Sequence, residues 1–83
     1  MYDADGKLIC LGQKVLVLEL DPRILESLDP QERVVVDEML SGPVEVCEFS
    51  ERYVYVEAGM EFPEGREFHK FAVSPEKLRI VST

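Results

Sequence analysis

The sequence predicts a mainly β domain of about five short strands, with two short helices between the first strand and the second. Three observations carry this expectation. Two Asp-Pro steps, Asp21-Pro22 and Asp29-Pro30, each open a run with apolar residues at helical spacing. On either side of those runs the apolar residues alternate with a period of two. Turn formers punctuate the chain at short intervals, at Asp5-Gly6, Gly12, Ser50-Glu51 and across residues 58–65. The chain has 83 residues, enough for a single domain (1–83) with a modest core.

Residues 1–10 read as a lead-in turn. Asp5-Gly6 is the turn signal, and Leu8-Ile9-Cys10-Leu11 is a short apolar run behind it. Asp3-x-Asp5-Gly6 has the opening of a calcium loop. It lacks the remaining ligands and the closing bidentate glutamate, so it is read as a turn. Gly12-Gln13-Lys14 leads into a strand over residues 15–20. Val15 and Val17 should face one way, and Leu16, Leu18 and Leu20 the other. Such a strand needs cover on both sides, and the helices that follow are expected to dock on the leucine side.

Residues 21–42 form the helical insert. Asp21 caps and Pro22 starts the first helix, whose apolar edge is Ile24, Leu25 and Leu28. The second spans residues 29–42. Asp29 is its N-cap, Pro30 its first residue, and Glu32 is placed to reach back as in a capping box. Val35, Val36, Met39 and Leu40 share one face. Gly42 is expected to end the helix in the left-handed conformation, with Pro43 barring continuation. Neither helix is long enough to be stable alone, so both must dock.

Beyond Pro43 the period changes to two. In residues 44–49, Val44 and Val46 oppose Glu45 and Cys47. Ser50-Glu51 makes a tight turn. In residues 52–57, Val54 and Val56 oppose Tyr53 and Tyr55. Gly59, Phe62, Pro63 and Gly65 mark residues 58–65 as a loop with extended parts. Residues 66–73 form a strand with His69, Phe71 and Val73 on one face and Phe68, Lys70 and Ala72 on the other. Ser74 and Pro75 begin one helical turn through Leu78, and residues 79–81 are the last strand.

This order of elements resembles the SH3-like small β-barrels. The carrying residues are the entry Leu11-Gly12-Gln13-Lys14-Val15-Leu16-Val17, the hairpin 44–57, and the exit Phe71-Ala72-Val73-Ser74-Pro75-Glu76-Lys77-Leu78-Arg79-Ile80-Val81. The segment from Leu28-Asp29-Pro30-Gln31-Glu32 to Met39-Leu40-Ser41-Gly42 resembles the helical insertion of short, uncharacterised bacterial proteins with this barrel. The resemblance covers residues 11–81 and implies a closed barrel with the insert 21–42 between its first two strands. The insert lies where an SH3 domain has the long loop lining its ligand groove, and the chain has no tryptophan. Proline-peptide binding is therefore not carried over, and fold analogy supplies no function.

Composition narrows the function classes. Seventeen acidic and nine basic residues give a net charge of -8, and the basic ones are scattered. Such a field repels phosphate, so nucleic acid and anionic membrane are not expected partners. The acidity reads first as solubility; a protein partner is expected, and a basic one is the sharper reading of the charge. Cys10 and Cys47 stand far apart with one histidine in the chain, which does not make a zinc pattern; both thiols are expected to be half-buried. The sequence has no signal-peptide pattern and no apolar run of membrane length, so a cytoplasmic setting is expected.

No phosphate loop, nucleophile elbow or dinucleotide fingerprint occurs, and no cofactor is expected. His69 has no nucleophile or carboxylate set beside it by local spacing, so an enzyme centred on it is the weakest reading. Glu45, Glu48, Glu57, Glu61 and Glu64 have the chemistry to hold a cation or a small regulatory ligand. At strand positions opposite apolar residues they read first as a solvated face. Tyr53 and Tyr55 lie opposite the valines that fill the core. The tyrosines read first as cover for the core under the helices; exposed instead, with Phe62 folded back from the loop and Glu57 and Glu61 at the rim, they form the candidate protein-binding patch. The expected function is thus a non-catalytic, acidic protein-interaction or accessory module. The oligomeric state is not encoded in any feature of the sequence.

Overall fold

The computed structural model describes residues 1–81; Ser82 and Thr83, the end of the expected domain, lie outside them. The elements are β1 (Lys14–Val17), α1 (Pro22–Ser27), α2 (Pro30–Met39), β2 (Val44–Phe49), β3 (Val54–Phe62), β4 (Gly65–Val73), a 3-10 turn (Pro75–Lys77) and β5 (Leu78–Ile80). The strands form one antiparallel sheet in the order β4-β3-β2-β1-β5. The mainly β class and the helical pair between the first two strands are as expected.

The sheet is not closed into a barrel. Closure requires β4 to pair with β5, and the outer side of β5 is already taken. The Ala4 N–H donates to the Leu78 carbonyl at 2.8 Å, and the Ile80 N–H donates to Asp3 Oδ2 at 2.9 Å. The lead-in turn therefore stands where a closing strand would lie.

Both helices start as the sequence dictates. Asp21 accepts the Arg23 N–H, and Asp29 accepts the Glu32 N–H at 2.8 Å while Glu32 Oε1 accepts the Asp29 N–H at 3.3 Å. A cap of this kind is worth about 1 kcal/mol. The end of α2 differs from expectation: Gly42 has no positive φ. Instead Leu40 caps by donating to the Val36 carbonyl, and the Ser41 hydroxyl and N–H both donate to the Glu38 carbonyl. With those carbonyls satisfied, no left-handed residue is needed.

Three further expectations are corrected. β1 ends at Val17, because the chain must leave the sheet to reach the cap at Asp21; Leu18 is exposed and only Leu20 of that stretch is buried. Cys10 is exposed, in a turn closed by its N–H on Gln13 Oε1. Residues 58–65 are not a loop. β3 runs through to Phe62, Pro63-Glu64 make the turn, and β4 begins at Gly65. Pro63 and Gly65 stand at the second and fourth turn positions, where a type I turn favours them. The result is a hairpin arm of two nine-residue strands.

The core lies between the inner face of the sheet and α2. Val15, Val46, Val54, Val56 and Leu78 are fully enclosed, joined by Val36 and Met39 from α2 and Ile9 from the lead-in turn.

Candidate functional site

A strand keeps its alternation, and this decides where each candidate residue lies. Along β3 the even-numbered residues Val54, Val56 and Ala58 are buried, so Met60 and Phe62 continue that inner face. Tyr55, Glu57, Gly59 and Glu61 share the outer face. The expected patch is thereby split. Tyr55, Glu57 and Glu61 lie together, and Phe62 lies on the opposite side of the sheet. Extension of the strand through residues 58–62 is the cause: a loop resets parity, whereas a strand does not.

The outer face is balanced in charge. Lys14, Glu45, Glu57 and Lys70 stand in one row across four strands, with a lysine at each end. Glu61 faces Arg66, and Tyr55 lies between Glu48 and Ala72. Cross-strand pairs of opposite charge support a sheet rather than leaving a bare acidic field. Cys47 is half-buried beside this face, with its Sγ 3.4 Å from the Tyr55 carbonyl; burial pushes its pKa up. Among the described residues no three His, Cys, Asp or Glu side chains converge as a metal site would require.

Tyr53 belongs to a different place. It lines a cleft of about 550 Å³ at the start of α1, with Glu19, Asp21, Arg23, Ser74 and Lys77. The charges of this cleft are paired among themselves: Arg23 with Asp21 at 2.9 Å, and Lys77 with Glu19 at 3.0 Å. The Arg23 side chain holds the Asp21 pKa below its ordinary value, and Glu19 raises that of Lys77. Asp21 is also the helix cap. The charged groups of the cleft are thus occupied with one another, and Asp21 in starting α1 as well.

Phe62 lines the second cavity, and this one has the character of a binding site. It is a groove of about 390 Å³ between α2 and the hairpin arm. The helix contributes Val35, Val36 and Met39 from its apolar face, and Leu28 closes one end. The arm contributes Phe62 from β3, and Phe71, His69 and Glu67 from the inner face of β4. Gln31, Glu32, Glu67 and His69 stand with the apolar lining, the first three bearing no positive charge. His69 Nε2 lies 3.4 Å from Glu67 Oε2, with both side chains open to solvent. An apolar floor with a polar and acidic rim is the anatomy of a protein-binding surface.

Two features escaped sequence reasoning. One is the groove itself, which needs the arm to exist. The other is Asp3, the buried charged residue among those described, at 5% exposure. Its carboxylate accepts the N–H groups of Asp5, Lys7 and Ile80 at 2.8 to 2.9 Å. The signal for it was the Asp-x-Asp-Gly turn, in which an aspartate commonly bonds backbone further along.

No helix of the described residues is long and apolar enough to cross a membrane. Comparison with protein-family models, with curated proteins and with solved structures finds no match.

Proposed function

We propose that this chain is a non-catalytic protein-interaction module, and that its binding surface is the groove between α2 and the hairpin arm. The partner segment is apolar and carries basic residues. One observation supports this above all: an apolar floor of Val35, Met39, Phe62 and Phe71 stands open beside Glu32 and Glu67, on a chain of net charge -8. Such a surface attracts a cationic segment over distance and holds its apolar side chains by burial. The SH3-like relationship belongs to this reading too, as a sheet of that kind whose two ends stay apart. A cytoplasmic setting accords with Cys10 and Cys47 being free thiols.

The test is selection of a displayed library of random short peptides against the full chain. Enrichment of peptides combining Lys or Arg with apolar residues is expected. Their binding should weaken as salt rises and should be lost in Val35→Glu, whose side chain lines the groove. Enrichment of acidic or wholly polar peptides, or binding indifferent to Val35→Glu, overturns the assignment.

A further inference from the structure

The groove is bounded on one side by a strand with an open edge. β3 and β4 pair from Val54↔Val73 to Phe62↔Gly65, and nothing among the described residues pairs with the other side of β4. The phase of the ladder follows from two contacts. The Ser50 N–H donates to the Tyr53 carbonyl, so odd-numbered residues of β3 bond toward β2. The two-residue turn closes on Phe62↔Gly65, so even-numbered residues of β3 bond toward β4. Both give the same result. Within β4 the peptide N–H and C=O groups of Arg66, Phe68, Lys70 and Ala72 point away from the sheet.

We infer that the partner segment enters as an extended strand added to this edge of β4. This deepens the groove reading and rests on it. Two facts converge. First, a strand laid along β4 turns alternate side chains to the side occupied by Glu67, His69 and Phe71, which is the side lined by α2. One set of side chains therefore enters the apolar groove while the backbone completes the ladder. Main-chain bonds then supply affinity, and the groove supplies selectivity. Second, the charges favour a cationic strand. Arg66 and Lys70 already face Glu61 and Glu57 across the arm, which leaves Glu67 and Glu32 to meet the newcomer. A second copy of the chain is the less suitable occupant. It brings a charge of -8 against -8, and a two-fold centred on Phe68 sets Arg66 opposite Lys70.

The probe is a capped peptide in which threonine alternates with valine or lysine, so that valines and lysines share one strand face, titrated onto the full chain. A peptide of the same composition with its threonines gathered in one block is the control. The alternating peptide should bind at least about tenfold more tightly than the control. Amide hydrogen exchange at Arg66, Phe68, Lys70 and Ala72 should slow, while neighbouring odd-numbered amides stay as protected as before. N-methylation separates strand addition from any other use of the groove, because it leaves every side chain in place. Methylating alternate peptide bonds in one phase should weaken binding about tenfold or more, and in the other phase should leave it nearly unchanged. If Val35→Glu abolishes binding but neither methylation phase matters, the groove reading stands and strand addition is wrong. No binding of the alternating peptide, or an equal response to the blocked control, also overturns strand addition. Dimers of the chain alone that protect the same four amides assign the edge to self-association instead.

Discussion

The sheet has two edges, and they are built in opposite ways. At β5 the outward groups are spoken for. Leu78 donates to the Pro75 carbonyl and accepts from Ala4, and Ile80 donates to the buried carboxylate of Asp3. At β4 the outward groups of four successive alternate residues face solvent over a nine-residue strand. An exposed edge invites pairing with another chain, and proteins blunt it by shortening, covering or charging it. β5 is short and covered. β4 is long and carries Arg66, Glu67, His69 and Lys70, so it is guarded by charge alone. The contrast teaches that one edge is part of the folded core and the other is a surface. Mutations should separate the two.

The largest difference should appear between Leu78→Ala and Phe68→Ala. Leu78 is fully buried on β5, and its truncation should cost about 2–5 kcal/mol. Phe68 on β4 is 58% exposed, and its truncation, which removes only its stack with Arg66, should cost no more than about 1 kcal/mol. Urea unfolding of both variants measures the gap. Equal losses would mean that the β4 edge is as integral to the fold as β5.

How much of this contrast was legible in the sequence depends on the kind of signal. Local chemistry was legible. Asp21-Pro22 and Asp29-Pro30 with Glu32 each encode a helix start within a few residues, and both starts form. The alternation of Val44, Val46, Val54 and Val56 likewise encodes its own inner face. The hairpin arm was not legible, because Gly59, Pro63 and Gly65 are turn formers by local rule. Only pairing with β4 holds Gly59 in a strand, and pairing is a non-local term. That one misreading moved Phe62 from one face to the other and hid the groove. Asp3 was hidden for a related reason: its third hydrogen bond reaches Ile80, at the far end of the sequence.

A smaller effect, but a more specific one, is expected at Asp3. Asp3→Asn keeps the size of the side chain and removes its charge. The Ile80 N–H, with help from those of Lys7 and Asp5, holds the Asp3 pKa below its ordinary value against the opposing effect of burial. The folded state therefore favours the ionised form. Stability from this group is fully present above the unfolded carboxylate pKa of about 3.9 and is lost as pH falls through the lower folded value. The melting temperature of Asp3→Asn should lie below that of the parent at neutral pH. The difference should hold down to about pH 4 and shrink in stronger acid. A difference that grows on acidification would show that Asp3 does not seal β5 as a carboxylate.

The smallest effect, and the finest probe of the open edge, is Gly59→Ala. Gly59 has no positive φ, so alanine fits its backbone, and loss of unfolded-state freedom should favour folding by about 0.4–1 kcal/mol. The new Cβ, however, meets Phe68 Cε1 at 3.0 Å, Phe68 Cδ1 at 3.2 Å and Arg66 Nε at 3.4 Å. The Phe68 ring lies over its glycine partner, and the Arg66 guanidinium carbon sits 5.3 Å from the ring centre. Shifting the ring disturbs that stack, worth about 0.5–1 kcal/mol at an exposed site. The two contributions are of similar size and opposite sign. Gly59→Ala alone should therefore change stability by no more than about 0.5 kcal/mol, because an exposed ring on an edge strand is free to yield. With Phe68→Ala already present the obstacle is gone, and Gly59→Ala should stabilise by about 0.4–1 kcal/mol. A double-mutant cycle in urea measures both. A loss above about 2 kcal/mol from Gly59→Ala alone would mean that Phe68 is held fast, and that the β4 edge is as rigid as the sealed one.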